Sequence, residues 1–260
     1  MDQTIIHAYG VVAAAEPLTQ FPPGIADTSV HVVHAGNLAA ITSHLPVKGF
    51  GVADWKRNAT NVGWLEPVAR RHHAVLQYVA STAAVVPLRL PSLYGNLESL
   101  EESLHASSER LERDLRRIGG KVEWAVKVYQ TAEQKSSASG TAASSGRDYL
   151  LAKSRDLSAR SDSREQLREQ VREIHDALGQ VSAEYVRNQP QDVLLSGRKE
   201  QMVLNGAYLV SRANEARFLK LAGEIADESL ARGLLVEVSG PWPAYNFTGD
   251  GEAATTEAIT

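Results

Sequence analysis

Short runs of apolar residues alternate with turns over the first third of the chain. Ile5–Ala14 (IIHAYGVVAA) is almost continuously apolar and predicts a first β-strand. The runs Ser29–His34 and Leu38–Ser43 follow, separated by Gly36-Asn37. A Gly-Asn pair between two apolar runs predicts a tight β-hairpin. The chain therefore begins with strands that pair antiparallel.

Two helices and a strand are predicted next. The segment Trp64–Ser81 has helical apolar spacing, and Ala83–Leu90 (AAVVPLRL) predicts a buried strand in which Pro87 favours an edge position or a bulge. Asn96 is a suitable N-cap for one long helix that ends at Gly119-Gly120. The apolar face of that helix comprises Leu97, Leu100, Leu104, Leu111, Leu115 and Ile118.

A second series of elements starts after Gly120. Val122–Tyr129 alternates as a strand does, and the low-complexity segment Ser136–Gly146 predicts a mobile loop. A long helix is predicted from Asp148 to Val186, ended by Pro190. Its apolar residues have the 4-3 spacing of a coiled-coil seam, which favours packing on its own sheet over self-association. They are Leu167, Val171, Ile174, Leu178, Val181 and Tyr185.

The remaining pattern completes a ferredoxin-like order. Asp192–Ser196 and Met202–Ser211 predict strands, Asn214–Ala231 a helix, and Leu234–Val238 a last strand. Strand, helix, strand, strand, helix, strand is the βαββαβ order of a ferredoxin-like domain. The predicted fold class is therefore α+β, with an N-terminal α+β domain over 1–120 and a ferredoxin-like domain with a long helix over 121–248. Residues 136–146 are its flexible loop and 249–260 a disordered tail.

Composition adds constraints rather than a function. The 260 residues suit two domains, and the net charge of −4 is too small to indicate a nucleic-acid partner. There is no cysteine, which excludes disulfides and thiolate chemistry and fits a reducing compartment. Asp2 precedes the first apolar run, unlike the basic start of a signal peptide, and no apolar run is long enough to span a bilayer. We expect a soluble cytoplasmic protein with no membrane partner.

The sequence contains few residues whose type and spacing would indicate a catalytic or metal site. His72-His73 are adjacent on a predicted helix, so their side chains point about 100° apart, and they are predicted to form part of an exposed basic face with Arg70-Arg71. Gly49-Phe50-Gly51 lacks the third glycine of a phosphate loop. Glu98, Glu101 and Glu102 are expected on a solvated helix face. We expect no enzyme activity, no metal and no cofactor.

The strongest local feature is an aromatic and proline-rich motif near the C-terminus. Its members are Gly240, Pro241, Trp242, Pro243, Tyr245, Asn246 and Phe247. Such a segment could be a docking peptide, a lid over a pocket or a rigid strap. Because both prolines fix φ and lack an N–H, the segment is predicted to leave the sheet as an extended strap. The aromatic rings are then predicted to anchor it on the protein's own domains, as a structural clasp.

Several motifs together resemble the gas vesicle protein F/L family. They are GKVEWAVKVY (Gly120–Tyr129), GRDYLLAK (Gly146–Lys153), MVLNGAYLVSR (Met202–Arg212), GLLVEVSGPWPAYNF (Gly233–Phe247) and, earlier, VVPLRLPSLYGNLESL (Val85–Leu100). The terminal motif resembles the family's G-P-W-P-P-Y-x-F signature, with Ala244 in place of the second proline. Leu90-Pro91 stands where the family more often has an aromatic residue and glycine.

The resemblance implies a cytosolic, non-catalytic accessory protein of gas vesicle assembly. Its expected partners are the hydrophobic gas vesicle major shell protein and other gas vesicle accessory proteins. For shell binding we expect contributions from the strands Ile5–Ala14 and Ala83–Leu90. The alternative, from a different functional class, is a ferredoxin-like small-molecule enzyme or ligand sensor with Trp242 and Tyr245 lining its pocket.

Overall fold

A computed structural model describes residues 3–131, 146–191, 198 and 200–249. The fold is mixed α+β with two sheets, and the chain divides into two compact units. The first unit comprises Met1–Glu123 together with the segment from Pro241 onward, and the second comprises Trp124–Gly240. No helix within the described residues is both long enough and apolar enough to cross a membrane.

The sheet of the first unit has five strands. They are β1 (Thr4–Ala13), β2 (Val30–Ala35), β3 (Leu38–Pro46), β4 (Val86–Pro87) and β5 (Leu93–Tyr94). The order is β2-β3-β1-β4, with β5 also pairing with β1, and all pairs are antiparallel. The predicted hairpin is confirmed, because Ala35 pairs with Leu38 across the Gly36-Asn37 turn and Gly36 has a φ of 60°.

Five α-helices lie in the described part of the first unit. They are the single turn α1 (Val47–Phe50), α2 (Val52–Asn58), α3 (Val62–Thr82), α4 (Leu97–Ala106) and α5 (Ser108–Ile118). Asn96 caps α4 as expected, accepting from the Ser99 backbone N–H at 2.8 Å. The single helix predicted from Asn96 to Gly119 is wrong, since it is broken at Ser107 into α4 and α5. Its apolar face still packs inward, except that Leu97 is exposed.

The predicted strand Ala83–Leu90 is also wrong in extent. Only Val86 and Pro87 pair with β1, at Val11 and Gly10. Pro87 has no backbone N–H to continue a ladder, and the chain turns away before the cis Leu90-Pro91 bond. The edge position predicted from Pro87 is confirmed, whereas a full strand is not formed.

A β-bulge at Tyr9 shapes the centre of the first sheet. Ala8 pairs with Thr42 and Gly10 with Ile41, so Tyr9 has no opposite residue on β3. A bulged residue turns its side chain out of the regular alternation. The fully buried Tyr9 hydroxyl donates to Ser43 Oγ at 3.0 Å and accepts from the Ile25 backbone N–H at 2.9 Å. The bulge thus brings the Tyr9 hydroxyl into the core, where Ser43 and the Ile25 backbone satisfy it.

Gly10 follows the bulge and is closely surrounded. A Cβ built there lies 2.8 Å from side-chain atoms of Leu76 and Val85 and 2.9 Å from the Val86 carbonyl oxygen. We expect Gly10→Ala to lower the free energy of unfolding by about 1–3 kcal/mol, because a backbone atom cannot move aside. Gly223→Ala is the matched control, since its Cβ meets nothing within 4 Å and alanine favours a helix. Urea unfolding of both variants measures the difference, and equal effects would contradict it.

In its described residues, the second unit contains two α-helices and a four-stranded sheet. The strands are β6 (Lys121–Gln130), β7 (Glu184–Asn188), β8 (Gln201–Ser211) and β9 (Leu234–Trp242), and the helices are α6 (Gly146–Gln180) and α7 (Glu215–Leu230). β6 starts before the boundary between the units, and β9 ends after it. The strand order is β7-β8-β6-β9, with α6 between β6 and β7 and α7 between β8 and β9.

The prediction for the long helix requires correction at its end. α6 ends at Gln180, ten residues before Pro190, and Tyr185 lies on β7. The buried part of the predicted seam is Val171, Ile174 and Leu178, and α6 packs against β8 and α7. This packing agrees with the favoured role of the seam, which is to cover the helix's own sheet. Most of the predicted loop 136–146 and the predicted strand 192–196 lie outside the described residues.

Candidate functional site

The C-terminal motif begins as a strand and ends as a turn. Gly240, Pro241 and Trp242 are the last residues of β9. After Pro243 the chain turns, with the Tyr245 N–H donating to the Pro243 carbonyl at 2.7 Å and the Phe247 N–H to the Ala244 carbonyl at 3.2 Å. The predicted extended strap leaving the sheet at Pro241 is therefore wrong in detail. Pro241 is accommodated within the strand, and the backbone beyond Pro243 folds on itself.

From Pro241 onward the motif belongs to the first compact unit, whereas the predicted boundaries 121–248 place the whole motif in the C-terminal domain. Phe247 retains 2% of its exposure and is the best-buried aromatic residue of the motif. Pro243 and Ala244 are buried as well, whereas Tyr245 is 40% exposed. The rings thus differ in exposure: Phe247 is buried, and Tyr245 keeps an exposed edge.

A buried carboxylate, Glu123, holds the turn of the motif. Its two oxygens accept from the backbone N–H of Asn246 at 2.8 Å and from the Asn246 side-chain amide at 2.6 Å. Glu123 is 3% exposed, and burial raises its pKa although the two bonds from Asn246 lower it. An ionised group in such a position is stable only while both donors remain in place.

A second carboxylate, Asp114 on α5, binds the end of the motif. It is 5% exposed and accepts from the Gly249 N–H at 3.1 Å. Arg110, one helical turn earlier, lies 3.8 Å from the same oxygen and supplies a compensating charge. The motif is consequently tied to the first unit at Asn246 and at Gly249, with Phe247 buried between the two ties.

His73 on α3 provides a third anchor. Its Nδ1 lies 2.9 Å from the Tyr245 hydroxyl, and its ring centroid lies 5.0 Å from that of Trp242. The rings of His73 and Tyr245 are stacked, with centroids 6.0 Å apart. Partial burial lowers the His73 pKa, so the neutral ring is favoured in these contacts. His73 is therefore an internal contact of the motif.

Its neighbour His72 points into the core. It is 5% exposed, and its Nδ1 lies 3.0 Å from Nε2 of His7, which is fully buried on β1. The Tyr9 ring stacks on His72 at 5.4 Å and meets the edge of His7 at 4.7 Å. The prediction that His72 and His73 lie on an exposed basic face is thus wrong for both residues. Only Arg70 and Arg71 of that group are exposed.

The tautomers of the buried pair follow from their partners. The Leu88 backbone raises the pKa of His72, as a carbonyl oxygen facing a ring N–H does, which assigns the ring proton of His72 to Nε2. Its Nδ1 must then accept from Nε2–H of His7. This leaves His7 Nδ1 as a buried acceptor without a partner among the described atoms. Burial lowers the pKa of His7, and it lowers that of His72 to about 4.

The sequence does contain a signal for His72. Val68, Val75, Leu76 and Val79 are buried at helical spacings from it, which places His72 on the apolar face of α3. Glu123 gives no such signal, because strand alternation assigns it to the face opposite Trp124 and Val122. The segment that covers Glu123 comes from more than a hundred residues later in the chain.

Comparison with known proteins identifies the family of this fold. The family described as "Gas vesicle synthesis protein GvpL/GvpF" matches residues 5–249. Gas vesicle protein L of a Streptomyces species is 32% identical over 235 residues, covering 88% of this chain and 86% of that protein. Gas vesicle protein F2 of Halobacterium salinarum is 25% identical over 251 residues, covering 95% of this chain and 93% of that protein.

Solved structures have the same fold. The crystal structure of GvpF from Anabaena aligns with a TM-score of 0.68 at 18% identity, covering 96% of this chain and 98% of that one. GvpF from Microcystis aeruginosa aligns with a TM-score of 0.66 at 18% identity, covering 94% and 98%. The chain belongs to the GvpL/GvpF family of gas vesicle synthesis proteins, and the resemblance seen in its motifs is confirmed. Its role is that of a gas vesicle accessory protein.

Proposed function

We propose that this chain is a non-catalytic, cytoplasmic accessory protein that binds the gas vesicle major shell protein and supports vesicle assembly. The observation that carries the proposal is the match to a gas vesicle synthesis family over residues 5–249, nearly the whole chain. Other gas vesicle accessory proteins are further candidate partners.

Shielding a shell subunit is a physically reasonable task for such a protein. A very apolar subunit that polymerises must have its apolar surfaces and strand edges covered until it is incorporated. A partner can cover them by adding a strand to a sheet edge or by holding a helix in a groove. The two sheets of this chain offer edges of the first kind.

We also propose a ferredoxin-like architecture for the second unit. Its four strands, in the order second-third-first-fourth along the sheet, support this assignment, as does one helix after the first strand and one after the third. We propose in addition that the motif Gly240–Phe247 is a structural clasp rather than a docking peptide. Its support is the burial of Phe247 and the hydrogen bonds that Asn246 makes to Glu123.

An enzyme or sensor with a pocket at Trp242 and Tyr245 receives less support. Both rings face His73, and the Tyr245 hydroxyl is within hydrogen-bond distance of it. These contacts favour an internal role for the two rings over a ligand site. We therefore propose that Trp242 and Tyr245 stabilise the first unit.

Co-expression with the gas vesicle major shell protein tests the proposed function. We expect a tagged form of this chain to retain the shell protein through native affinity purification and gel filtration. An unrelated tagged protein co-expressed with the same shell protein controls for adhesion of an apolar polypeptide to the resin. Elution of this chain free of shell protein, with both proteins present in the soluble extract, would contradict the proposal.

A further inference from the structure

The edges of the two sheets differ in how they are protected. A free strand edge invites pairing with another chain, and proteins protect edges with charges, prolines or very short strands. The outer strand β7 of the second unit carries Glu184 and Arg187, and β9 carries Glu237 and Pro241. In the first unit, the strands β4 and β5 have two residues each, and β4 contains Pro87.

The strand β2, with the sequence VHVVHA, has none of these protections. It contains no Asp, Glu, Lys, Arg or Pro, and it is six residues long. In the described part of the chain its only strand neighbour is β3. Its histidines, His31 and His34, are exposed, in contrast to the buried residues 38–43 of β3. Among the described outer strands longer than two residues, β2 is the one without a charged residue or a proline, and helix α4 contacts it.

The hairpin register shows which backbone groups of β2 face outward. Ala35 and Leu38 flank a two-residue turn and therefore form a hydrogen-bonded pair. Hydrogen-bonded and non-hydrogen-bonded pairs alternate along an antiparallel ladder. The N–H and C=O groups of Val30, Val32 and His34 consequently point away from β3. An incoming strand would find these groups in line along an uncharged edge.

We propose that β2 is a strand-addition site for an extended, uncharged and β-branched segment of the partner polypeptide. The proposal rests on the proposed function, in which that partner is the shell protein. Val30 and Val32 pack partly against the core of the first unit. An added strand would place alternate side chains beside these valines, so apolar residues at every second position match the surface. A charged segment would find no opposite charge on β2.

A second copy of this chain fits the edge less well than a partner segment. Stable interfaces between folded proteins bury about 1,200–2,000 Å² in total, and six residues of strand provide a small part of this area. An extended segment needs only the edge and its neighbouring side chains, because main-chain hydrogen bonds supply much of the affinity. The predicted strands Ile5–Ala14 and Ala83–Leu90 are less suitable for strand addition, because β1 is an inner strand and β4 has only two residues.

Substitutions on β2 test this site in the complex with the shell protein. His34→Pro removes one outward N–H and leaves the ladder to β3 intact, and we expect it to weaken shell-protein binding at least about tenfold. His31→Lys adds a protecting charge to the exposed edge and is expected to weaken binding about three- to tenfold. His44→Lys is the matched control, because His44 is exposed on the inner strand β3 with its ring 6.3 Å from that of His31.

Amide hydrogen exchange locates the contact independently of any variant. Val32 and His34 are expected to exchange rapidly in the free protein and at least about tenfold more slowly in the complex, while Val33 and Ala35 are protected in both. Wild-type-like binding by folded His34→Pro and His31→Lys would overturn the edge proposal and leave the proposed function intact. Absence of binding by the wild type would refute both. Protection of Val32 and His34 in a dimer of this chain alone would overturn the assignment to a partner segment.

Discussion

Acidification from about pH 7 to about pH 5 is expected to lower the free energy of unfolding of this protein by roughly 2–4 kcal/mol. The cause is the buried pair His7 and His72, whose rings are neutral in the folded core. Unfolding releases both rings to water, where each takes up a proton below its ordinary pKa of 6.5. Tryptophan fluorescence can follow urea unfolding at each pH, because three of the four tryptophans, Trp55, Trp64 and Trp242, lie in the first unit.

The loss of stability at lower pH follows from the lowered pKa values of the two histidines. A histidine with a lowered folded-state pKa contributes stability above its unfolded pKa and loses it as pH falls towards the folded value. For His72, with a pKa lowered from 6.5 to about 4, this amounts to roughly 3 kcal/mol, lost between those values. The pKa of His7 is lowered as well. Glu123 acts in the opposite sense, because its raised pKa restores some stability when it is protonated at acid pH.

A pair of histidine variants isolates this effect. His72→Gln keeps an acceptor for His7 Nε2–H and removes one titrating ring, so we expect a flatter pH dependence together with lower stability at neutral pH. His44→Gln, at an exposed histidine, is the control for loss of an imidazole ring. An unaltered slope in His72→Gln, or a wild-type stability that stays constant from about pH 7 to about pH 5, would exclude the buried pair as its source.

The elements with a strong local pattern were predictable from sequence. β1, the hairpin of β2 and β3, α3 and β8 all follow from apolar periodicity and a turn signal. The failures lie where tertiary contacts decide. Ser107 interrupts a helix whose apolar spacing continues on both sides of it. Tyr185 fits a helical seam by spacing but lies on β7, because the chain turns after Gln180.

The sequence indicates which residues form the C-terminal motif but not which residues surround them. The composition of the C-terminal motif identifies Trp242, Tyr245 and Phe247 as anchoring rings. Their partners are distant in sequence: Glu123 lies 123 residues before Asn246, and His73 lies 172 residues before Tyr245. No pattern within one strand or helix can indicate such a pairing. Strand alternation predicts that a carboxylate such as Glu123 faces solvent, because the segment that covers it is distant in sequence.

Phe247→Ala is expected to destabilise the first unit by about 3–4 kcal/mol, since the ring is almost fully buried and its loss leaves a cavity. Tyr245→Phe removes only the hydroxyl that meets His73 Nδ1, so we expect a loss of about 1 kcal/mol. Asn246→Ala removes a donor from the buried Glu123 carboxylate and is expected to cost about 1.5–3 kcal/mol. Trp242→Ala should lower the melting temperature, because its ring packs on His73. Urea unfolding of the variants measures the losses in free energy of unfolding, and thermal unfolding measures the melting temperatures.

Binding measurements on the same variants separate a clasp from a docking peptide. A clasp acts through stability, so Tyr245→Phe and Asn246→Ala should bind the shell protein as the wild type does wherever they remain folded. A docking peptide acts through exposed groups, and Tyr245, 40% exposed, is the ring of the motif best placed for that role. The motif would be a docking peptide, and not a clasp, if two results were obtained together. Folded Tyr245→Ser would lose shell-protein binding, and Phe247→Ala would keep the free energy of unfolding of the wild type. The two buried carboxylates at Glu123 and Asp114 argue for the clasp, because releasing the motif would leave both without their backbone donors.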